Sequence, residues 1–298
     1  MSAAVKEDEV ILCASCGTAG SDGIKLKNCT ACYLVKYCSV KCQKDHRPKH
    51  KKACKKRAAE LRDELLFKQP ESSCYGDCPI CCLPIVFDKS KSAINTCCSK
   101  IICEGCYVAN QKREIEGRLQ QTCPFCRKTL AKTNEEQIER AMKRIEANDP
   151  VAICDIGRRR CREGDYKAAF EYWTRAAALG DADAHHELAS LYHFGHGVEK
   201  DEKKILYHTE QAAIGGHPRA RHNLGTFEAR KGRVDRAVKH YIIAAKLGNE
   251  KSLERAKILY ESGHVTNEDF ATALRGYHTA INAMKSLQRE EAEALLAA

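Results

Sequence analysis

The sequence predicts a multidomain fold class, with two small cysteine-rich modules followed by an all-α helical-repeat solenoid. The modules are predicted because cysteines recur in closely spaced pairs through residues 13–54 and again through residues 74–130. The solenoid is predicted because a motif of small residues that begins at Arg175 recurs at Gln211 and at Ile243. Such a period is typical of stacked helix pairs, each too small to bury its apolar face alone.

Cysteine content and the polar start of the chain indicate a cellular location. The 298 residues include 19 cysteines, and residues 1–9 carry no secretory signal. We therefore expect metal-binding thiols in a reducing compartment rather than disulfides. No apolar stretch is long enough to span a bilayer. These observations predict an intracellular protein, cytoplasmic or nuclear, in which residues 1–12 form an N-terminal tail.

The first module, residues 13–54, contains eight candidate metal ligands. Cys38 and Cys42 are four residues apart, as are His50 and Cys54, so each pair lies on one face of a helix. The module has few apolar residues to bury, whereas a structural zinc ion contributes on the order of 10–16 kcal/mol in apparent terms. The candidates are Cys13, Cys16, Cys29, Cys32, Cys38, Cys42, His50 and Cys54.

The run from Tyr37 to Cys54 resembles the core of a MYND-type zinc finger. That resemblance implies a cross-braced fold with two interleaved zinc ions, and it implies proteins or proline-rich peptides as partners. Arg47 stands where the family often has an aromatic residue. His46 is an alternative ligand because it lies four residues before His50, but we interpret it as a solvated helix histidine. The implied sites are Cys13, Cys16, Cys38 and Cys42 for one ion, and Cys29, Cys32, His50 and Cys54 for the other.

Basic residues are concentrated at the end of this module. Ten Lys or Arg residues lie from Lys36 to Arg57, with Asp45 as the only acidic residue. They could form a phosphate-binding face, or a solvated helix face that offsets thiolate charge, and we favour the second interpretation. The formal net charge of +10 falls to about +3 once about fifteen thiolates and four divalent ions are counted. We therefore expect neither nucleic acid nor a membrane as a partner.

Residues 55–73 are predicted to form a helical linker between the two modules. Ala58, Leu61 and Leu65 share one stripe at helical spacing, and Pro70 disfavours helix in the residue before it. We expect this stripe to pack on a neighbouring module.

The central module, residues 74–130, resembles a RING domain at both ends. Cys78-Pro-Ile-Cys81 and Cys123-Pro-Phe-Cys126 each place two thiolates on one tight turn, where both can reach one tetrahedral zinc ion. The resemblance implies two sites in this module. These are Cys78, Cys81, Cys103 and Cys106 for one zinc ion, and Cys97, Cys98, Cys123 and Cys126 for the other.

The middle of this module departs from the usual RING pattern. Lys100 stands at the histidine position, and a protonated lysine has no lone pair to donate to zinc. Cys97 offers the missing thiolate, as in the less common all-cysteine RING variant. Cys74 and Cys82 are alternative sources of that ligand.

The RING resemblance also implies a partner, because RING domains of the ligase type bind a ubiquitin-conjugating enzyme through a shallow apolar face. Ile80 occupies the contact position between the first two ligands, and Pro124 lies on the second zinc loop. Arg127 stands where such ligases often place a cation that hydrogen-bonds ubiquitin. Catalysis by such a module is orientation of a thioester-linked ubiquitin, so no nucleophile or general base is required.

The helical array begins with a connecting helix over residues 133–150, introduced by the capping box of Thr133 and Glu136. Residues 151–287 resemble Sel-like repeats, a subclass of the tetratricopeptide type. The glycines that end the second helix of each clear repeat are Gly180, Gly216 and Gly248.

Three positions of the repeats are equivalent and two of them hold a large aromatic residue. Trp173 and Tyr241 fill this core position, and Thr209 departs from the pattern.

The last helix is expected from Asn267 to Leu287, and residues 288–298 are expected to form a tail. Cys154 and Cys161 fall on a first repeat helix and are interpreted as packing thiols.

The sequence therefore predicts a zinc-binding adaptor or scaffold for protein–protein interaction, with four Zn²⁺ per chain. We identify no catalytic residue and no organic cofactor site. If the chain is an enzyme, the RING resemblance implies a ubiquitin-protein transferase whose repeats or MYND-like finger select substrate. A nucleic-acid-associated regulator is the third hypothesis, and it depends only on the basic stretches.

Overall fold

A computed structural model describes residues 11–21, 23–86 and 88–297 of this chain. The chain divides into two compact units between Lys68 and Gln69. The N-terminal tail predicted for residues 1–12 lies mostly outside the described residues. No helix among those described is both long enough and apolar enough to cross a membrane.

The first unit combines a two-stranded antiparallel sheet with one long helix. Strand β1 (Lys27–Asn28) pairs with β2 (Lys36–Tyr37), and helix α1 spans Val40–Leu66. The Ser39 side chain caps α1 by accepting a hydrogen bond from the Cys42 amide. The buried core of this unit is small and sulfur-rich; it consists of Cys13, Cys29, Cys32 and Tyr37, with partly buried neighbours.

Helix α1 differs from the linker that the sequence predicts for residues 55–73. The structure has one continuous helix that includes both the candidate ligands His50 and Cys54 and the predicted linker stripe. The cause is local, because residues 55–66 are mostly Lys, Arg, Ala, Glu and Leu, which are strong helix formers. Pro48 lies inside the helix without ending it.

The second unit begins with the central module, which is built around a short hairpin and one helix. Strand β3 (Ser92–Ile94) pairs antiparallel with β4 (Ile101–Cys103), and α2 (Glu104–Glu116) follows directly. Ile85 and Ile102 form the apolar part of a core that otherwise consists of cysteines. The buried carboxylate of Glu114 accepts hydrogen bonds from the amide and hydroxyl of Thr122, which fixes the chain as it returns to Cys123.

A helical array follows, and it confirms the predicted solenoid. It contains α3 (Asn134–Glu146), α4 (Pro150–Arg162), α5 (Tyr166–Ala178), α6 (Ala182–Phe194), α7 (Glu202–Ile214), α8 (Pro218–Arg230), α9 (Val234–Lys246), α10 (Glu250–Glu261) and α11 (Asn267–Met284). Thr133 caps α3 as the capping box predicts. Gly180, Gly216 and Gly248 all adopt positive φ just after the second helix of a pair, a conformation that favours glycine.

Residue size is matched across the helix pairs at one repeated position. A Cβ atom built on Gly157 of α4 would lie 2.5 Å from Trp173 Nε1 on α5. One built on Gly225 of α8 would lie 2.7 Å from Tyr241 Cε1 on α9. Glycine is therefore required wherever the opposite helix carries the large aromatic residue.

The first residues of the central module contact the solenoid through a buried polar cluster. The Cys74 amide donates to the Gly216 carbonyl oxygen at 3.1 Å. The Tyr75 hydroxyl lies 3.2 Å from His217 Nε2 and 3.4 Å from Asp183 Oδ1. Arg158 forms an ion pair with the same Asp183 carboxylate.

The C-terminal residues form a helix rather than the tail expected for residues 288–298. Helix α11 ends at Met284, and α12 spans Leu287–Ala297 and packs against α2 of the central module. The Lys91 ammonium pairs with the Glu293 carboxylate at 2.6 Å. Ala292 is buried in this contact region, and Arg289 approaches Gly105 so closely that a Cβ atom there would lie 2.9 Å from Arg289 Cγ.

We predict that Gly157→Ala destabilises the solenoid by about 1–3 kcal/mol, because the added methyl group overlaps the Trp173 indole. Trp173 is the only tryptophan of the chain, so its fluorescence during urea unfolding reports on this region. Gly23→Ala is the control, because a Cβ atom built on Gly23 meets nothing within 4 Å. We therefore expect it to leave the midpoint of the Trp173 transition unchanged. Equal midpoints for the two variants would contradict the size-matching argument.

Candidate metal centres and the surfaces around them

The first candidate centre brings together Cys13, Cys16, Cys38 and Cys42, as the sequence predicts. Gly17 adopts a φ of +73° directly after the Cys13–Cys16 turn, which allows the chain to fold back over the two thiols. Cys38 follows strand β2, and Cys42 lies in the first turn of α1. The Cys38 sulfur lies 3.6 Å from Cys16 Sγ and 3.5 Å from Cys42 Sγ.

The second candidate centre brings together Cys29, Cys32, His50 and Cys54. Its two helical ligands lie one turn apart on α1, further along the helix than Cys42. Cys32 Sγ lies 3.2 Å from His50 Nε2, and Cys29 Sγ lies 3.8 Å from Cys54 Sγ. One helix therefore supplies ligands to both centres, so each centre constrains the rotation of α1 that the other requires.

His46 belongs to neither centre in this structure. Its Nδ1 lies 3.1 Å from the Tyr37 hydroxyl, and its ring stacks on that of His50 with centroids 5.7 Å apart. The geometry places His46 beside the second centre, where it supports the orientation of the His50 ring. This contact explains why two histidines at helical spacing supply only one candidate ligand.

The third candidate centre brings together Cys78, Cys81, Cys103 and Cys106. Cys103 is the last residue of β4, and Cys106 lies in the first turn of α2, so the strand-to-helix junction supplies two of the four thiols. Cys81 Sγ lies 3.7 Å from Cys103 Sγ. Three of the four residues are buried, and Cys81 is half-buried.

The fourth candidate centre includes both adjacent cysteines, Cys97 and Cys98, together with Cys123 and Cys126. Cys97 Sγ lies 3.3 Å from Cys126 Sγ, and Cys98 Sγ lies 3.8 Å from Cys123 Sγ. Ser99 follows at a φ of +56°, and this turn allows the two neighbouring thiols to face one point.

The alternative ligands lie elsewhere. Cys74 hydrogen-bonds through its backbone to the α7–α8 turn, and Cys82 is exposed. Cys154 is buried in the solenoid core, where its carbonyl oxygen accepts a hydrogen bond from the Trp173 indole at 3.1 Å. Neither Cys154 nor the half-buried Cys161 joins a ligand group among the described residues.

The spacing of these sulfur atoms fits tetrahedral zinc. A zinc–sulfur bond of about 2.3 Å implies sulfur–sulfur separations of about 3.8 Å in a tetrahedron. The closest measured separations, from 3.3 to 3.8 Å, are at or slightly below this value. Each group offers four protein ligands, which is the donor set of a closed structural site rather than of a catalytic site with an open position.

The thiol pKa values in the first two groups show opposite shifts among neighbouring ligands. Backbone amides of Cys16 and Cys38 lower the pKa of Cys13 to about 6, whereas the hydrogen bond with Cys42 raises the pKa of Cys38 to about 12. Burial, together with the neighbouring Cys29 thiol, raises the pKa of Cys54 to about 11. Without a metal, one ionised thiol therefore suppresses ionisation of its neighbours. A bound Zn²⁺ removes that conflict because it stabilises all coordinating thiolates together.

A residue that the sequence analysis did not single out, Arg289, contacts the third centre from helix α12. The residue is 8% exposed, and its guanidinium group lies 3.6 Å from Cys81 Sγ. It also donates to the carbonyl oxygens of Leu83, Pro84 and Met284. A cation at this position stabilises a thiolate ligand and fixes the loop that carries it.

The three predicted partner-binding residues occupy different environments. Ile80 is 43% exposed on the turn between Cys78 and Cys81. Arg127 is exposed, and its guanidinium donates to Asn110 Oδ1 at 3.1 Å. Pro124, in contrast, is buried, so its ring is not available to a partner in this structure, contrary to the expectation. It follows the fully buried Cys123, which draws this side of the turn inward.

Comparison with known proteins confirms the first module and the repeats. Residues 13–54 match the MYND finger family, and residues 157–181, 182–217 and 218–249 match the Sel1 repeat family. The fold and the ligand groups thus define a zinc-binding, modular repeat protein. Its parts are a MYND finger, a second cysteine-rich module and an array that includes three Sel1 repeats. The RING resemblance of residues 74–130 is not confirmed by family comparison and stays a prediction.

Solved structures with partial similarity include a Sel1 repeat protein from Oxalobacter formigenes, with 28% identity over 52% of this chain and 66% of that chain, and a TM-score of 0.45. A protective antigen with an SLR fold from uropathogenic Escherichia coli has 24% identity over 65% of this chain and 40% of that chain, with a TM-score of 0.40. An immunity protein from Pseudomonas aeruginosa has 20% identity over 52% of this chain and 64% of that chain, with a TM-score of 0.38.

This chain therefore spans less than two thirds of the length of these structures. A search of curated proteins gave no significant match.

We predict that native mass spectrometry of the full chain, prepared with zinc, shows four Zn²⁺ per molecule. Cys97→Ser should lose one ion in the presence of a competing chelator, because it removes one thiolate of the fourth group. Cys82→Ser is the matched control, since this exposed cysteine of the same module lies outside every ligand group. His46→Ala should also retain four ions. Loss of zinc from Cys82→Ser, or full retention in Cys97→Ser, would contradict the assignment.

Proposed function

We propose that this chain is a protein-interaction adaptor that combines zinc-stabilised modules with a partner-binding groove on the Sel1 repeats. The proposal depends chiefly on one observation, which is a groove of about 390 Å³ between α6, α7 and α8. The closed ligand groups support it, because ions held by four protein ligands stabilise structure and leave no position for a substrate.

The groove lies where the repeats depart from their aromatic pattern. Thr209 occupies on α7 the position that Trp173 and Tyr241 occupy in the neighbouring repeats, and Ala189 on α6 corresponds to Gly157 and Gly225. Both Thr209 and Ala189 line the groove. The Thr209 hydroxyl donates to the Ile205 carbonyl oxygen of its own helix at 2.7 Å. No large side chain of this repeat therefore fills the space that an indole or phenol ring fills in the other two.

The lining residues indicate the chemistry of a partner. Most of them are apolar or uncharged, including Leu206, Leu224 and Phe227, and the rim carries Phe194, which is 57% exposed. Arg230 is the only lysine, arginine, aspartate or glutamate among the described lining residues. We therefore propose as occupant a large apolar side chain, aromatic or aliphatic, next to an acidic residue in a segment of a partner protein.

The proposal predicts that filling the groove abolishes binding without unfolding the repeats. Thr209→Tyr combined with Ala189→Gly recreates the aromatic and glycine pair of the neighbouring repeats. A displayed library of 12-residue peptides is selected on the full chain with zinc, and enriched peptides are tested by fluorescence anisotropy. We expect enriched peptides to share a large apolar residue beside an acid, and affinity for the filled variant to fall at least tenfold.

A rim variant supplies an independent arm of this experiment. Phe194→Ala should weaken the same peptides, whereas Tyr207→Ala should not, since Tyr207 is 55% exposed on α7 but does not line the groove. Trp173 fluorescence checks that each variant retains the folded solenoid. Peptides that bind the filled variant as tightly as the unmodified chain would show that the groove is not the binding site.

Ubiquitin transfer is a second candidate function, favoured by apolar side chains exposed on the two outer turns of the central module. Ile80 is 43% exposed on one turn and Phe125 is 42% exposed on the other. These residues could contact a conjugating enzyme, whereas the buried Pro124 could not without a change in the turn.

The ligase hypothesis predicts ubiquitin chains in a reconstituted assay with activating enzyme and a panel of conjugating enzymes. Ile80→Ala should then reduce chain formation at least tenfold, because it removes the exposed contact while leaving the zinc ligands intact. Leu119→Ala is the control, since Leu119 is 57% exposed in the same module and lies outside both zinc turns. A panel without chains would leave the adaptor function alone.

A further inference from the structure

Helix α1 displays an exposed run of positive charge that the adaptor function does not use. Eight cations between residues 41 and 56 are exposed, and within the described part of the chain none of them forms an ion pair with a carboxylate. The only acidic residue of this run is Asp45. The eight cations are Lys41, Lys44, Arg47, Lys49, Lys51, Lys52, Lys55 and Lys56.

Helical geometry places the densest part of this charge away from the metal ligands. At about 100° per residue, the ligands Cys42, His50 and Cys54 occupy one side of α1. Five lysines lie within an arc of about 100° centred on the opposite side. We call them the basic stripe; they are Lys41, Lys44, Lys51, Lys52 and Lys55. Because these ammonium groups point away from the thiolates, their main role is not to offset thiolate charge.

The dimensions of the basic stripe match a charged polymer. From Lys41 to Lys55 the helix rises about 21 Å. A duplex aligned with it presents about twelve phosphate charges over that length. Lysine provides point charges that follow a phosphate backbone without requiring a particular base sequence.

Other anionic partners fit less well. A membrane-surface helix needs an apolar face beside its cations. The opposite face of α1 holds metal ligands, and the large apolar residues exposed on α1 are only Val40 and Leu65. Single-stranded nucleic acid is bound largely by stacking, and α1 contains no Phe, Tyr or Trp. An acidic peptide would gain no apolar anchor along the basic stripe.

We propose that the basic stripe of α1 binds the phosphate backbone of double-stranded nucleic acid without sequence specificity. The inference is independent of the groove on the repeats, which lies in the other compact unit. It differs from the expectation drawn from net charge, because the position of the charges, rather than their sum, determines what they can contact.

The test uses the full zinc-loaded chain and a fluorescently labelled 24-base-pair DNA duplex of scrambled sequence, with binding followed by anisotropy from 50 to 200 mM NaCl. Five phosphate contacts predict a slope of log Kobs against log salt of about −4.5. The variant Lys44→Gln/Lys51→Gln/Lys55→Gln should reduce the slope to about −1.8 and weaken binding on the order of 10²-fold at 0.1 M salt. An unchanged zinc content shows that the variant is folded.

The matched control removes the same charge from exposed lysines of the solenoid, as Lys167→Gln/Lys203→Gln/Lys251→Gln. We expect this control to retain the slope and affinity of the unmodified chain. Equal losses in the two triple variants would overturn the proposal, since net charge alone would then account for binding. So would binding to poly-glutamate or to vesicles with 20% phosphatidylserine in the absence of duplex binding.

Discussion

Coordination of metal ions by cysteine sulfur is the interaction on which the two cysteine-rich modules depend. In the first unit the buried core consists of three cysteines and Tyr37. In the central module only Ile85 and Ile102 add fully buried aliphatic surface to four buried cysteines. Burial of so little apolar surface cannot offset the conformational entropy of ordering these loops. Structural zinc can, because ligand binding and folding occur together and the gain is on the order of 10 kcal/mol per site.

That constraint also determines what the surface displays. Because Cys42, His50 and Cys54 must face two metal centres, the rotation of α1 about its own axis is fixed, and the lysines on its other side are held outward as a continuous row. In the central module, metal coordination also constrains the C-terminal helix α12. Arg289 contacts the Cys81 thiolate from α12, so formation of the third centre and docking of the last helix stabilise each other.

Local spacing made the ligand pairs predictable, because pairs such as Cys78 and Cys81 or His50 and Cys54 are defined by turn and helix geometry over a few residues. Which pairs share one ion was implied by the MYND and RING resemblances and not by spacing. The repeats were predictable for a similar reason, since their period is a property of sequence. The docking of α12 could not be predicted in this way. Its residues, rich in Ala and Glu, favour a helix but do not identify α2 as the surface that would bury Ala292 and Arg289. Likewise, residues after Cys54 predict helix, but not that α1 continues from the zinc finger without a break.

Residue size is matched across two of the helix pairs by a glycine opposite an aromatic ring. The third pair, with Thr209 opposite Ala189, lacks such a ring. In a repeat array, stability comes from contacts within each repeat and with its neighbours, so a defect in one repeat is not compensated at a distance. Loss of a buried aromatic ring costs roughly 3–5 kcal/mol where the surroundings cannot collapse. Here the groove between α6, α7 and α8 is lined by Thr209 and Ala189 and stays open. An apolar side chain from a partner that enters this space recovers burial that the array itself lacks. In the proposed function, the space left at Thr209 therefore provides free energy for binding.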